Sequence, residues 1–216
     1  MKRYLTEMVG TFFLVLTVGL TVLGETPFAP LAIGSALMVM VYMGGHISGG
    51  HYNPAVTLGV WMRGKLGGSE VLPYMISQVV GAILAGVVVM LMTGNTFAPA
   101  PAPDAGIVAV LLAEVLFTFA LVLVVLNVAT DEATAGNSYY GLAIGFTVVV
   151  AAFAAGGISG GAFNPAVGTG PILVHTLLGE GSFGDLWIYL VGPFAGGALA
   201  ALAYKAQHPE GGEGAP

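Results

Sequence analysis

The sequence predicts an all-α membrane protein with six transmembrane helices plus two re-entrant half-helices, arranged as an inverted repeat. Three observations predict this fold class. Of the 216 residues, 56% are hydrophobic and only 7% are charged, whereas soluble domains carry about 25% charged residues. Six apolar segments are, as helices, about as long as a bilayer is thick. One unusual glycine-rich string occurs twice. A chain with so few charges cannot cover a water-facing surface, so we expect a lipid bilayer around it.

The six apolar segments are predicted to be membrane-spanning helices, because about 20 apolar residues cross a hydrocarbon layer about 30 Å thick. A transmembrane β-barrel would show alternation with a period of two, and these segments do not. The second and fifth segments are short by this measure, which leaves their ends open. The segments lie at about Tyr4–Leu23, Phe28–Met43, Val71–Met92, Ile107–Val128, Tyr139–Ala155 and Leu186–Tyr204.

The duplicated string reads GHISGGHYNPAVTLG at Gly45–Gly59 and GGISGGAFNPAVGTG at Gly156–Gly170. Asn53 in the first copy corresponds to Asn164 in the second, 111 positions later. Such a repeat indicates an internal duplication. Asn is favoured at the N-cap of a helix, and Pro is favoured in the first turn because its missing N–H would have no partner there. Each copy therefore predicts a loop that ends in a helix capped by its own Asn.

The two capped helices are too short to span a membrane. They are predicted at Asn53–Arg63 and Asn164–His175, which corresponds to about 16–18 Å at 1.5 Å per residue. Their approaches, Gly45–Tyr52 and Gly156–Phe163, are predicted to be extended backbone that offers a row of carbonyl acceptors; glycine that merely permits a tight turn explains the composition equally well. Irregular backbone at membrane depth must be buried in protein or line a wet cavity. Each copy is therefore predicted to enter as a loop and to return as a half-helix.

The placement of basic residues predicts the topology, because cytoplasmic loops carry an excess of Lys and Arg. With both termini cytoplasmic and both half-helices re-entrant, all five basic residues lie on the cytoplasmic face. Three spans in each half is an odd number, so the second repeat is inverted and the capped helix ends meet near the midplane. We expect one membrane channel domain at 1–206, with repeats at about 1–95 and 105–206, and a disordered tail at 207–216.

The side chains expected at the midplane are hydrogen-bond donors. The oxygens of Asn53 and Asn164 cap their helices, which leaves the two amide groups as donors. The positive ends of the two half-helix dipoles point at the same place. A solute oxygen is favoured there, and protons and cations are excluded. The alternative is that both residues only cap helices, but the inverted duplication favours a pore.

Several function classes are excluded or disfavoured by composition. The chain has no cysteine and only five Lys and Arg residues, so it has no thiolate metal site and cannot build a nucleic-acid interface. The spans contain no nucleophile–base pair and no cluster of metal ligands, so we expect no enzyme, no cofactor and no metal. Secondary active transport would need a coupling-ion site, and only Glu7 and Glu114 lie deep in the spans. A structural membrane protein with a closed pore is the third alternative.

The boxes Asn53-Pro54-Ala55 and Asn164-Pro165-Ala166, the six spans and the matching Glu7 and Glu114 resemble the aquaporin, or major intrinsic protein, family. The resemblance covers the whole chain except the tail. It implies a passive channel for water and small uncharged solutes in the plasma or inner membrane. It also implies a homotetramer with one pore in each subunit.

The resemblance assigns roles to further residues. Glu7 and Glu114 are implied to brace the re-entrant loops by accepting backbone hydrogen bonds, and Gln78 resembles another brace. His46 and His51 lie on the inner approach, where they form either a pH-sensitive gate or neutral hydrogen-bond partners; we favour the second interpretation. The residues implied to line the pore loops are Gly49, Gly50, His51, Gly160 and Ala162.

The residues that match the family's outer filter are Ile33, Ala152, Gly161 and Val167. A water-selective member usually has an aromatic residue at the first position, His at the second and Arg at the last, and this chain has none of them. The resemblance therefore implies a wide, apolar filter that passes glycerol, urea, ammonia, hydrogen peroxide or metalloid hydroxides. The alternative is a water-selective channel in which a side chain from the external loop at Phe97–Asp104 narrows the mouth.

Overall fold

The computed structural model describes residues 1–209, and eight α-helices make up most of this part of the chain. A short 3-10 helix at Glu132–Thr134 lies between the fifth and sixth helices, and residues 1–209 contain no β-strand. The fold class expected from the sequence is confirmed. The helices are α1 at Lys2–Leu23, α2 at Ala29–Ser48, α3 at Pro54–Met62, α4 at Gly68–Thr93, α5 at Ile107–Ala129, α6 at Tyr140–Ser159, α7 at Pro165–Leu178 and α8 at Leu186–Gln207.

Six of these helices, α1, α2, α4, α5, α6 and α8, are long and apolar enough to cross a membrane. Large apolar side chains are exposed on their outer faces; examples are Leu72, Leu91, Phe153 and Leu202. Contiguous apolar surface of this extent is rare on soluble monomers. The exterior is therefore the lipid-facing surface of a multi-pass membrane protein.

The structure corrects the predicted ends of the second and fifth spans. The segments Gly45–Ser48 and Gly156–Ser159 were expected to be extended, but they form the last turn of α2 and of α6. Helical hydrogen bonds satisfy the backbone at this depth, where water is scarce. The helices end only at Gly49 and Gly160, whose φ angles of 96° and 85° lie in the left-handed region that glycine tolerates. Non-helical backbone is confined to about five residues before each half-helix.

The half-helices α3 and α7 begin where the sequence predicts. The side-chain oxygen of Asn53 accepts a hydrogen bond from the N–H of Ala55 at 2.8 Å, and that of Asn164 accepts one from Ala166 at 2.9 Å. The prediction is less accurate at the far ends. Helix α3 ends at Met62, and α7 continues to Leu178, three residues past the predicted end.

The three spanning helices of each repeat pack in the same way. Helix α1 packs against α2 and α4, and α5 packs against α6 and α8. The half-helices cross over between repeats, because α3 packs against α8 and α7 packs against α4. Small residues allow the close approach: a Cβ at Gly81 would collide with the backbone of Met8, and one at Gly196 would collide with that of Val115. Such contacts are typical of helix packing in lipid.

The predicted tail begins too early. Gln207 is the last residue of α8, and His208 lies against Asp131. The rest of the predicted tail, residues 210–216, lies outside the described residues.

Candidate conduction pathway

The two N-cap asparagines bond across the repeat boundary. The amide nitrogen of Asn53 donates to the carbonyl oxygen of Phe163 at 2.9 Å, and that of Asn164 donates to the carbonyl oxygen of Tyr52 at 2.9 Å. An Asn amide has two hydrogens, so each residue keeps one further donor. The N-terminal ends of the two half-helices are thereby joined, and each asparagine has one donor left for a solute.

The cross-repeat acceptors depend on an unusual backbone conformation. Tyr52 and Phe163 have φ angles of 49° and 48°, in the left-handed region that bulky residues rarely adopt. Such strain persists only where the surroundings hold it. For Tyr52, the hydroxyl donates to the carbonyl of Met40 at 2.9 Å, and the ring packs tightly against Gly10. Sequence reasoning missed this feature, although an aromatic residue precedes the Asn in both copies.

Glu7 holds the first re-entrant loop. Its side chain is fully buried and accepts hydrogen bonds from Ser48 Oγ at 2.6 Å, from the N–H of His51 at 3.0 Å and from the N–H of Tyr52 at 2.7 Å. The carboxylate therefore fixes the backbone immediately before Asn53.

Glu114 makes the same contacts in the second repeat. It accepts from Ser159 Oγ at 2.7 Å, from the N–H of Ala162 at 3.1 Å and from the N–H of Phe163 at 2.7 Å, and it too is fully buried. Both carboxylates are thus surrounded by donors from their own repeat. This geometry is the one that a loop brace requires.

The first loop has an additional side-chain network. Gln78 donates to Glu7 at 2.8 Å and to the hydroxyl of Thr57 at 2.9 Å, and Nδ1 of His51 lies 3.1 Å from the same hydroxyl. In the second copy Gly168 stands at the position of Thr57 and Ala162 at that of His51. His51 is therefore a hydrogen-bonded residue of the loop, which is the interpretation favoured from the sequence.

A cavity of about 410 Å³, here called the outer cavity, extends from the ends of α1 and α2 near Val22 and Ala29 to the asparagine pair. Its walls include both asparagines and the four residues that match the family's filter: Ile33, Ala152, Gly161 and Val167. Gly160 and Ala162 of the second loop also line it.

A second cavity of about 460 Å³, here called the inner cavity, opens on the face that carries Arg3 and Lys65. His46 and Gly49 lie in its wall, and His51 and Val125 border both cavities. His51 and Val125 therefore separate the outer cavity, which reaches the asparagine pair, from the inner cavity on the side of Arg3 and Lys65.

Some predicted pore residues support the pathway without bordering it. Among the described residues, Gly50 borders neither cavity, and the Pro and Ala residues of both boxes are buried behind the asparagines. Ala55 packs on Gly197 of α8, where a Cβ would lie 2.7 Å from the Ala55 oxygen. These residues, Pro54, Ala55, Pro165 and Ala166, position the half-helices.

The external loop forms part of the outer cavity wall. Residues 97–100 border the outer cavity, and the backbone of Ala100 lies directly over Gly160. The Phe97 side chain is buried, and its ring packs against Gly19 of α1. The N–H of Ala102 donates to the carbonyl of Ile158 at 3.0 Å. Nothing in the sequence indicates this loop contact beyond a single aromatic residue in a Pro/Ala-rich segment.

A family model described as Major intrinsic protein matches residues 1–204. The chain belongs to the major intrinsic protein family. It is 38% identical over 215 residues to Aquaporin NIP1-4 of Oryza sativa subsp. japonica, a match that covers 95% of this chain and 76% of that protein. It is 33% identical over 220 residues to Glycerol uptake facilitator protein-like 6 of Lactiplantibacillus plantarum, covering 97% and 100% respectively.

The fold is also that of a solved member. The aquaglyceroporin from Plasmodium falciparum matches with a TM-score of 0.86 at 23% identity, covering 96% of this chain and 97% of that one. Members of the major intrinsic protein family are channels and not enzymes. This member is accordingly a multi-pass channel for water and small solutes.

Proposed function

We propose that this channel passes water together with larger uncharged solutes through a wide, apolar outer filter. The solute class is glycerol, urea, ammonia, hydrogen peroxide and metalloid hydroxides. One observation carries the proposal: the filter positions in the outer cavity wall bear no charge and no side-chain hydrogen-bonding group. These positions are Ile33, Ala152, Gly161 and Val167.

Selectivity then depends on the asparagine pair. A filter without Arg has neither a fixed positive charge nor a long side chain to obstruct a solute with a carbon skeleton. Exclusion of cations and protons is left to the amide donors of Asn53 and Asn164 and to the positive ends of α3 and α7. Neutral molecules that accept hydrogen bonds satisfy these donors, and cations do not.

The external loop supports the wide filter over the narrowed one. The alternative of a water-selective channel needs a bulky loop side chain in the mouth. The loop does reach the mouth, where Phe97, Ala98, Pro99 and Ala100 border the outer cavity. Three of these residues are small, and the one large side chain, Phe97, is buried against Gly19 of α1. The Lactiplantibacillus plantarum relative is named Glycerol uptake facilitator protein-like 6, which agrees with this solute class.

Secondary active transport is disfavoured by the hydrogen bonding of the two deep carboxylates. Glu7 and Glu114 each accept from a Ser hydroxyl and from two backbone N–H groups. A coupling ion would have to displace these donors. Passive permeation needs no such rearrangement.

The channel that we propose is a homotetramer with one pore in each subunit. It lies in the plasma or inner membrane, and both of its termini are cytoplasmic. The distribution of charge supports the orientation, because Arg3 and Lys65 both border the inner cavity, on the face where α8 ends. An excess of basic residues marks the cytoplasmic side of membrane proteins.

The filter is tested by comparing Val167→Arg with Val167→Leu in proteoliposomes, by stopped-flow light scattering with water, glycerol, urea and arsenious acid. We expect Val167→Arg to lower permeability to the larger solutes by about tenfold or more, because it restores a charged obstruction. Val167→Leu changes size without charge and is the matched control. Unchanged permeation of glycerol and urea through Val167→Arg would contradict the proposed filter.

A further inference from the structure

Four side chains from three segments meet on the inner face, and we call them the inner latch: Arg63, Asp131, Tyr204 and His208. The Tyr204 hydroxyl donates to Oδ2 of Asp131, and the Arg63 guanidinium lies 4.5 Å from the centre of the Tyr204 ring. The His208 ring stacks on Tyr204 with centroids 4.2 Å apart and planes 18° apart. The latch therefore connects the end of α3, the segment between α5 and α6, and the end of α8.

Both ring nitrogens of His208 face oxygen acceptors. Nδ1 lies 3.0 Å from the carbonyl oxygen of Tyr204, and Nε2 lies 3.2 Å from Oδ2 of Asp131. A neutral imidazole carries a hydrogen on only one nitrogen, whereas the imidazolium carries one on each. Both contacts are therefore favourable only in the protonated ring. In the neutral ring, one nitrogen lone pair opposes an oxygen lone pair.

We propose that protonation of His208 closes the inner latch and thereby keeps the inner mouth of the channel open. Histidine is the side chain that gains and loses its charge between about pH 5 and pH 8. Loss of the proton removes one of the two contacts of His208 and weakens the connection between the α5–α6 segment and the end of α8, which the Tyr204 hydroxyl still joins to Asp131.

The latch is continuous with the rim of the inner cavity. Ala129 and Thr130 line that cavity and directly precede Asp131 in the chain, and Lys65 and Leu66 line it just after Arg63. Movement of the α5–α6 segment therefore changes the width of the inner mouth.

The charged side chains around the latch lie on the α5–α6 segment, at the end of α3 and on α8. Asp131 faces the His208 ring from the α5–α6 segment, where the carboxyl pKa is held below its ordinary value, first by the Tyr204 hydroxyl and then by the Ala133 N–H and the charges of His208 and Arg63. Asp131 is thus ionised throughout the range in which histidine titrates. Three further charged side chains lie on the elements of the latch: Glu132, which follows Asp131 and lies 3.7 Å from Lys65, Arg63 at the end of α3, and Lys205 on α8.

The test measures water permeability of proteoliposomes by stopped-flow light scattering at about pH 5.5 and about pH 8 on both sides. We expect water permeability to fall about twofold to fivefold at the higher pH. One partly exposed ion pair shifts the equilibrium between an open and a narrowed mouth by about this factor. His208→Phe keeps the aromatic stack without a proton, so its permeability should equal that of the alkaline wild type at both pH values. His175→Phe, a histidine outside the latch, is the matched control and should retain the pH response.

Hydrogen–deuterium exchange of residues 130–139 gives a second readout that does not depend on flux. We expect faster exchange at the higher pH in the wild type and fast exchange at both pH values in His208→Phe. Equal permeability of the wild type at the two pH values, or a pH response that survives in His208→Phe, overturns the latch. Neither result affects the proposed filter, because only water is measured here.

Discussion

The amide nitrogen of Asn53 lies 2.9 Å from the carbonyl oxygen of Phe163, a residue 110 positions away in the other repeat. The reciprocal bond from Asn164 to Tyr52 has the same length. Each asparagine thus caps one half-helix and fixes the backbone that precedes the other. The stability of the central pore and the position of its donors therefore depend on the same two side chains.

Asn164→Ala should destabilise the protein and admit ions. It removes a helix cap, which costs about 0.5–2 kcal/mol, and leaves the buried carbonyl of Tyr52 without its donor, which costs about 1–3 kcal/mol. Thermal unfolding in detergent measures the loss, and a pH-sensitive dye inside liposomes measures the proton leak. Asn95→Ala, in an exposed loop, is the control. A variant as stable and as proton-tight as wild type would contradict the central role of the pair.

Glu7→Gln should be more destabilising than Glu114→Gln. Glu7 accepts four hydrogen bonds, including one from Gln78, whereas Glu114 accepts three. A glutamine has one acceptor oxygen, and its NH₂ group faces donors, so we expect a loss of about 2 kcal/mol or more for Glu7→Gln. The unfolding midpoints of both variants show which one is less stable. Glu180→Gln, at an exposed position, is the control. The reverse order would show that the Gln78 network contributes nothing.

Gly160→Ala should displace the external loop. A Cβ there would lie 2.6 Å from the oxygen and 2.7 Å from the nitrogen of Ala100. Gly94→Ala is a matched control. Gly94 has a similar φ of 74°, but a Cβ there would have no atom of the described residues within 4 Å. Both variants share the backbone strain, so the excess loss in Gly160→Ala, about 1–3 kcal/mol, reports the collision. We also expect an altered glycerol-to-water permeability ratio in Gly160→Ala alone; equal behaviour of the two variants would mean that the loop is not seated there.

The contacts of Asp131 predict a pH-dependent contribution to stability. The folded-state pKa is lower than the ordinary value, mainly because of the Tyr204 hydroxyl. A lowered carboxyl pKa contributes stability that is present above the unfolded pKa, about 3.9, and is lost as the pH falls through the folded pKa. Tyr204→Phe should therefore lower the unfolding midpoint at pH values near 7 and converge with wild type in strong acid. A difference that grows as the pH falls would reverse this assignment.

The sequence predicted the elements whose causes are local. The caps at Asn53 and Asn164 follow from an Asn-Pro pair, and the spans follow from apolar length. The helical state of Gly45–Ser48 was not predicted from the sequence. In water, a high glycine content indicates a loop. Inside a membrane, the backbone N–H and C=O groups find partners only in helical hydrogen bonds, so the same residues stay helical.

The sequence pattern could not predict features that depend on contacts between segments far apart in the chain. The contact of Ala100 with Gly160 joins an external loop to the second repeat, and the hydrogen bond from Tyr204 to Asp131 joins the end of α8 to a segment 73 positions earlier. The four residues that match the filter were found by resemblance, and the structure adds only that all four border the outer cavity. Their effect on solute choice stays a prediction.

The most direct test of the account is the permeability of wild-type proteoliposomes to glycerol and urea, measured beside water by stopped-flow light scattering with no ion gradient. The account predicts permeation of both solutes well above that of protein-free liposomes. Swelling with water alone would contradict the wide filter, and transport that appears only with an ion gradient would contradict the passive channel.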